Sequence, residues 1–134
     1  GQVVMNMVNA MLGRMHLASD LSLLSPRKFA LVREGIAYYK KTAASKKSAV
    51  PIFPNGFASF GDLQAAAGYR FEDRMYLAVW NLGGDLAMSI CLKKKLTKAL
   101  VGYPLNSLVT VEIDEDFLRI RFTENIQACF LEVQ

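Results

Sequence analysis

Three consecutive acids, Asp114-Glu115-Asp116, are the residues of this chain whose types could do the most chemistry. A glycosidase needs two carboxylates about 5 to 9.5 Å apart across a sugar-sized cleft. Here the acids sit between two alternating runs, Ser107 to Ile113 and Phe117 to Phe122. That pattern predicts a hairpin tip whose carboxylates face water and repel one another, with no concave wall around them. The glycine-spaced oxygen ligands of a calcium loop are missing as well. His16 is the only histidine, so any histidine-based triad or zinc site must be built around it. No Gly-x-Ser-x-Gly elbow or paired-histidine motif accompanies it. Cys91 and Cys129 lie in apolar, strand-like runs without short spacing. They predict buried free thiols rather than a disulfide or a metal site, and neither a metal nor a cofactor is expected.

Aromatic and basic groups offer binding rather than catalysis. Tyr69, Tyr76 and Trp80 could stack on the apolar C–H faces of a sugar. Tyr76 and Trp80, however, share one strand face in a core-like pattern, which predicts packing with the indole N–H bonded to a neighbour. The lysines gather in two groups, Lys40-Lys41 with Lys46-Lys47, and Lys93-Lys94-Lys95 with Lys98. No aromatic residue interleaves them as a nucleic-acid stacking platform requires, so they predict solvated loops and edges despite the net charge of +4. Gly83-Gly84 predicts a turn, not a phosphate loop, because neither a helix nor a Lys-Ser/Thr pair follows.

Several elements must position these groups. The apolar fraction of 52% is slightly above the usual globular level, which argues for a packed core rather than disorder. No apolar run approaches the roughly 18 to 20 residues that span a bilayer, and no signal-peptide pattern opens the chain. Val3, Val4, Met7, Val8, Met11, Leu12 and Met15 recur at helical spacing, which predicts a helix over residues 2–12 ended by Gly13, or one continuous through Met15. A second helix follows from Ser25 as cap and Pro26 at the first position, with Phe29, Val32, Ile36 and Tyr39 on one face. Thr42 to Ser48 reads as an exposed connection. From Val50 the pattern turns to strands, predicted at Gln64 to Phe71, Met75 to Leu82, Leu86 to Leu92, Ala99 to Tyr103, Ser107 to Ile113, Phe117 to Phe122 and Ile126 to Val133. Short strands at regular turn spacing predict an antiparallel sandwich or barrel-like domain, and the fold class is α+β.

The order of several short motifs carries a family resemblance. They are Leu17-Ala-Ser-Asp-Leu-Ser-Leu-Leu-Ser-Pro, Gly35-Ile-Ala-Tyr-Tyr-Lys40, Val50-Pro-Ile-Phe-Pro-Asn-Gly56, Arg74-Met-Tyr-Leu-Ala-Val-Trp-Asn-Leu-Gly-Gly84 and Ala128-Cys-Phe-Leu-Glu-Val133. This succession resembles the C-terminal end of α-galactosidases of glycoside hydrolase family 36. The resemblance implies that residues 1–45 are the end of a (β/α)8 barrel, arranged helix-strand-helix, with the last barrel strand at roughly Gly13 to Ser19. Residues 46–134 would be the closing β-domain. The family's two catalytic aspartates lie in motifs absent here, so this chain alone is expected to be inactive. Where many relatives read Gly-Tyr-Glu near the last strand, this chain has Arg14-Met-His-Leu-Ala-Ser19, which leaves a related α-glycoside open as the parent's substrate.

On that resemblance His16 lies near the C-terminal end of the last strand, the face where barrel active sites gather, and is the candidate substrate-binding residue. The expected partners are the rest of the catalytic barrel, an α-galactoside bound through it, and a second copy meeting at the methionine face of the first helix. Neither nucleic acid nor a membrane is expected, and the location is expected to be cytoplasmic. The β-domain would cap the barrel and bury the Phe29-Val32-Ile36-Tyr39 face. The alternatives are a carbohydrate-binding module, which needs Tyr69, Tyr76 or Trp80 exposed, or a protein-interaction β-domain without catalysis.

Overall fold

The computed structural model describes residues 1–134. Helices α1 (Gln2–Met11) and α2 (Pro26–Thr42) precede eight strands. The strands are β1 (Val50–Ile52), β2 (Gln64–Phe71), β3 (Arg74–Leu82), β4 (Ala87–Cys91), β5 (Ala99–Tyr103), β6 (Thr110–Asp114), β7 (Phe117–Arg121) and β8 (Ile126–Val133). All pairings are antiparallel. They make a five-stranded sheet in the order β1-β2-β3-β8-β5 and a three-stranded sheet in the order β4-β7-β6. The α+β class and the two leading helices stand as the sequence predicts.

Alternation along the strands builds two cores, one on each face of the larger sheet. Leu77, Val79, Cys129, Leu131 and Val133 face the smaller sheet and meet its Met88, Ile90, Leu118 and Ile120. The intervening Tyr76, Ala78, Ala128 and Phe130 face the helices and meet Met7, Val8, Met11, Val32 and Tyr38. Successive strand residues point to opposite faces, so one strand can serve both layers only when it is apolar throughout. β3 meets that requirement with Met75 to Val79 all buried. Each fully buried Leu or Ile here contributes about 1.5–3 kcal/mol.

Local chemistry sets the start of α2. The Ser25 hydroxyl accepts the Lys28 N–H at 3.4 Å, and Pro26 occupies the first turn. Lys40 and Lys41 in its last turn complement the helix dipole. Its buried face differs from the predicted one. Val32, Gly35, Tyr38 and Thr42 are buried, while Phe29 is exposed and Ile36 and Tyr39 are partly covered. The reason is close approach: Gly35 lets Met7, Met11 and Tyr103 reach the helix backbone, which turns that side inward.

The methionine face is also covered by the chain's own sheet, contrary to expectation. Met7 and Met11 are almost fully buried, so this face offers no surface to a second copy. Thr42 to Ser48 is an exposed connection only in part, with Ala44, Lys47 and Ser48 open to solvent. It continues as a 3₁₀ turn (Ala43–Ser48) with Thr42 buried and Lys46 half-buried.

The two helices run parallel. Val4 shares a cleft with Ala30 and Leu31, Met7 and Met11 reach Gly35, and the Met11 carbonyl accepts from Lys46. The connecting segment must therefore run back between them. Gly13 to Ser19 in that segment forms no strand and pairs with none, because no other strand lies beside it.

Candidate functional site

His16 sits exposed in this returning segment, and the residues before it are held by side chains rather than by a sheet. The Lys46 ammonium donates to the carbonyls of Met11 and Gly13. It also lies 4.0 Å from the centre of the Tyr39 ring. The Tyr39 hydroxyl in turn accepts the Met15 N–H at 3.4 Å. Two side chains thus satisfy three backbone groups at the end of α1. A cation there also meets the negative end of the helix dipole. Burial pulls the Lys46 ammonium down to about 8, while the carbonyls and the ring face favour the charged form. Lys46→Met keeps the apolar stem and removes these bonds. The expected result is faster amide exchange at Met15, whose Tyr39 partner and neighbouring carbonyls the ammonium holds in place, with the sheet amides unchanged. Exchange rates read by NMR check this.

The three acids do not converge. Asp114 pairs with Arg119 at 2.5 and 3.0 Å. Glu115, at φ 57°, forms the turn, and Asp116 accepts from the Cys91 thiol at 3.4 Å. They are a hairpin tip, as the sequence predicts. Both cysteines are free thiols; Cys129 is buried, and Cys91 is only half-buried. Burial pushes the Cys129 thiol up to about 12, which makes it inert as a nucleophile. No group of three His, Cys, Asp or Glu side chains is placed to hold a metal.

The aromatic trio forms no exposed row. Tyr69 and Tyr76 are buried and stacked at 5.0 Å, and Trp80 is half-covered by α1 with its indole N–H donating to Asn9 at 2.7 Å. Tyr69 and Tyr76 are thus closed to a sugar face, and Trp80 is only half open to one. Among the lysines, Lys46 departs from the solvated role predicted for it. Nothing in the local sequence marked it, because its partners Met11, Gly13 and Tyr39 come from other elements.

A cleft of about 390 Å³ between the first turns of α1 and α2 and the β5–β6 and β7–β8 loops brings Arg27, Glu34 and Glu124 to one opening. Its hydroxyls are engaged elsewhere, Ser107 accepting from the Val109 N–H and Thr123 paired with Gln127, so none is hydrogen-bonded to a carboxylate base. No known family profile matches the chain. No curated protein matches it either. No helix is long and apolar enough to cross a membrane.

Proposed function

We propose that this chain is the C-terminal part of an α-galactosidase of glycoside hydrolase family 36. In this reading residues 1–45 close a (β/α)8 barrel and residues 46–134 form a β-domain that caps it. The observation that carries the reading is the parallel helix pair joined by a returning, unpaired segment. Consecutive helices of such a barrel run parallel, and the strand between them runs back to join neighbouring strands. In this reading Gly13 to Ser19 would become such a strand beside its barrel neighbours, and the exposed Leu17 supports it. The catalytic carboxylates belong to the earlier barrel strands. This chain's contribution is to hold α1, α2 and the His16 segment against the five-stranded sheet, and His16 would bond a substrate hydroxyl.

Hydrolysis of an aryl α-galactoside tests the reading. The chain alone should be inactive, and the same chain extended upstream through a full barrel should turn the substrate over. Turnover by the short chain, or none by either form, would sink the assignment. The reading as a protein-interaction β-domain draws on one observation, the exposed Phe57 and Phe60.

A further inference from the structure

The two lysine groups that the sequence keeps apart meet at one end of the molecule. α2 ends there with Lys40 and Lys41, and the Lys41 ammonium lies 3.2 Å from the Glu132 carboxylate of β8. β5 starts beside the end of β8, where Lys98 exchanges two backbone bonds with Gln134 at 2.9 and 2.8 Å. β3 starts on the other side of β8, with Arg74 just before the Met75–Val133 pair. The Lys94 ammonium donates to the Asp73 carbonyl at 3.3 Å, which brings Lys93 and Lys95 to the same end. Arg74 and Lys98 line one depression of about 50 Å³ there, together with Glu132 and Gln134.

Most of these cations are open to a partner. Lys40, Lys41, Arg74, Lys95 and Lys98 are exposed, and among them only Lys41 is in an ion pair. Glu72 is exposed in the β2–β3 turn, but two further acids of this end are engaged. Asp73 accepts from the Gln134 side chain at 2.5 Å, and Asp116 accepts from the Cys91 thiol. The tip Asp114 to Asp116 projects from the smaller sheet at the same end, its Glu115 carbonyl accepting the Leu96 N–H at 2.9 Å. A basic strip on the larger sheet is therefore bordered by an acidic tip on the smaller one.

We propose that this strip binds a sulfated polysaccharide, with Arg74 and Lys98 taking one sulfate group in the depression between them and the neighbouring lysines taking others along the chain. Charge complementarity sets the sign of the partner. The acidic border sets its shape. A planar anionic membrane laid on this end would also meet the carboxylates of the tip, whereas a linear chain follows the strip past them. Nucleic acid fits less well. No aromatic ring lines the depression to stack a base, and the cations come from the ends of α2, β3 and β5 rather than from one helix or ribbon that could enter a groove. The proposal is independent of the α-galactosidase reading.

Anisotropy of fluorescein-labelled heparin tests it. The expected affinity falls roughly a hundredfold between about 50 and 200 mM salt, as release of counterions from about four ionic contacts requires. Lys98→Glu should weaken binding about tenfold, with an unchanged circular dichroism spectrum. Lys28→Glu removes the same charge at the far end of α2 and should leave binding within about twofold. No binding at about 50 mM salt, or equal losses for the two variants, would overturn the proposal. So would duplex DNA or phosphatidylserine vesicles bound as tightly as heparin.

Discussion

Gly68→Ala is expected to destabilise this fold by about 4 kcal/mol or more, enough to unfold a domain whose whole stability is of order 5–15 kcal/mol. Gly68 pairs with Leu77 across β2 and β3. A Cβ added there would overlap the Tyr76 carbonyl oxygen and stand 3.0 Å from the Leu77 Cα. These are backbone atoms, so relief requires β3 itself to move. β3 holds Leu77 and Val79 in one core and Tyr76 and Ala78 in the other, so its displacement loosens both. Two other glycines calibrate the effect. A Cβ at Gly102 would strike the buried Tyr38 ring, which packs edge-on against Phe130, and should cost about 2–3 kcal/mol by overpacking. At Gly35 the nearest atom is the flexible tip of Met7, and alanine gains about 1 kcal/mol of helix propensity, so the net change should be small. Urea unfolding midpoints give the order. A Gly68→Ala protein that melts within a few degrees of the parent would refute the close approach of β2 and β3.

The second large effect is alkaline collapse. Tyr38, Tyr69 and Tyr103 are held above the ordinary phenol range, burial being the main cause in each. Glu132 adds to the shift at Tyr38 and Glu34 at Tyr103. Cys129 is pushed up to about 12 by burial alone. Once the pH passes their unfolded values, the unfolded chain binds fewer protons than the folded one, so stability falls as pH rises. Lys46 acts with the opposite sign. Held at about 8, it lets the folded state shed a proton that the unfolded lysine keeps until about 10.4, so stability rises across that window. Each group acts at about 1.4 kcal/mol per pH unit. Cys129 and Lys46 therefore nearly cancel between about pH 8.5 and 10. Above about pH 10.5 Lys46 no longer offsets them, and the raised phenols and the thiol together lower the stability as pH rises. The expected result is near-constant stability to pH 10, then cooperative unfolding within about two units. Tyrosinate absorbance and circular dichroism should change together. Phenols ionising smoothly near pH 10 with the fold intact would contradict their burial. Tyr38→Phe is a sharper probe. Removing its hydroxyl takes away the most strongly raised of the buried phenols and should flatten the alkaline slope.

Much of the chain's local structure was legible in its residues. The start of α2 followed from Ser25 and Pro26, whose capping chemistry involves only their neighbours. β2, β5 and β8 fall where alternation and turn residues placed them, and the other strands differ by a few residues at their ends. The acids at Asp114 to Asp116 announced a hairpin tip because a carboxylate site needs a concave wall that consecutive residues cannot supply. The candidate site was less legible. His16 could be singled out as the only histidine, but the Lys46–Tyr39 hold on its segment joins residues from α1, α2 and the 3₁₀ turn, separated by up to 35 positions.

By itself the sequence determined α1, α2 and the order of the strands, since periodicity and capping are set by residues a few positions apart. The missing strand at Gly13 to Ser19 and the 3₁₀ turn at Ala43–Ser48 were not legible in it. Only the tertiary structure decided which faces meet. It turned α2 onto Gly35 and Tyr38 instead of Phe29 and Ile36, and it closed the methionine face of α1 over β3 and β8. It paired β4 with β7 in the three-stranded sheet, and it left Phe57 and Phe60 outside. Burial depends on how near two elements can come, as at Gly102, which lets the Tyr38 ring from a distant part of the chain lie against the β5 backbone.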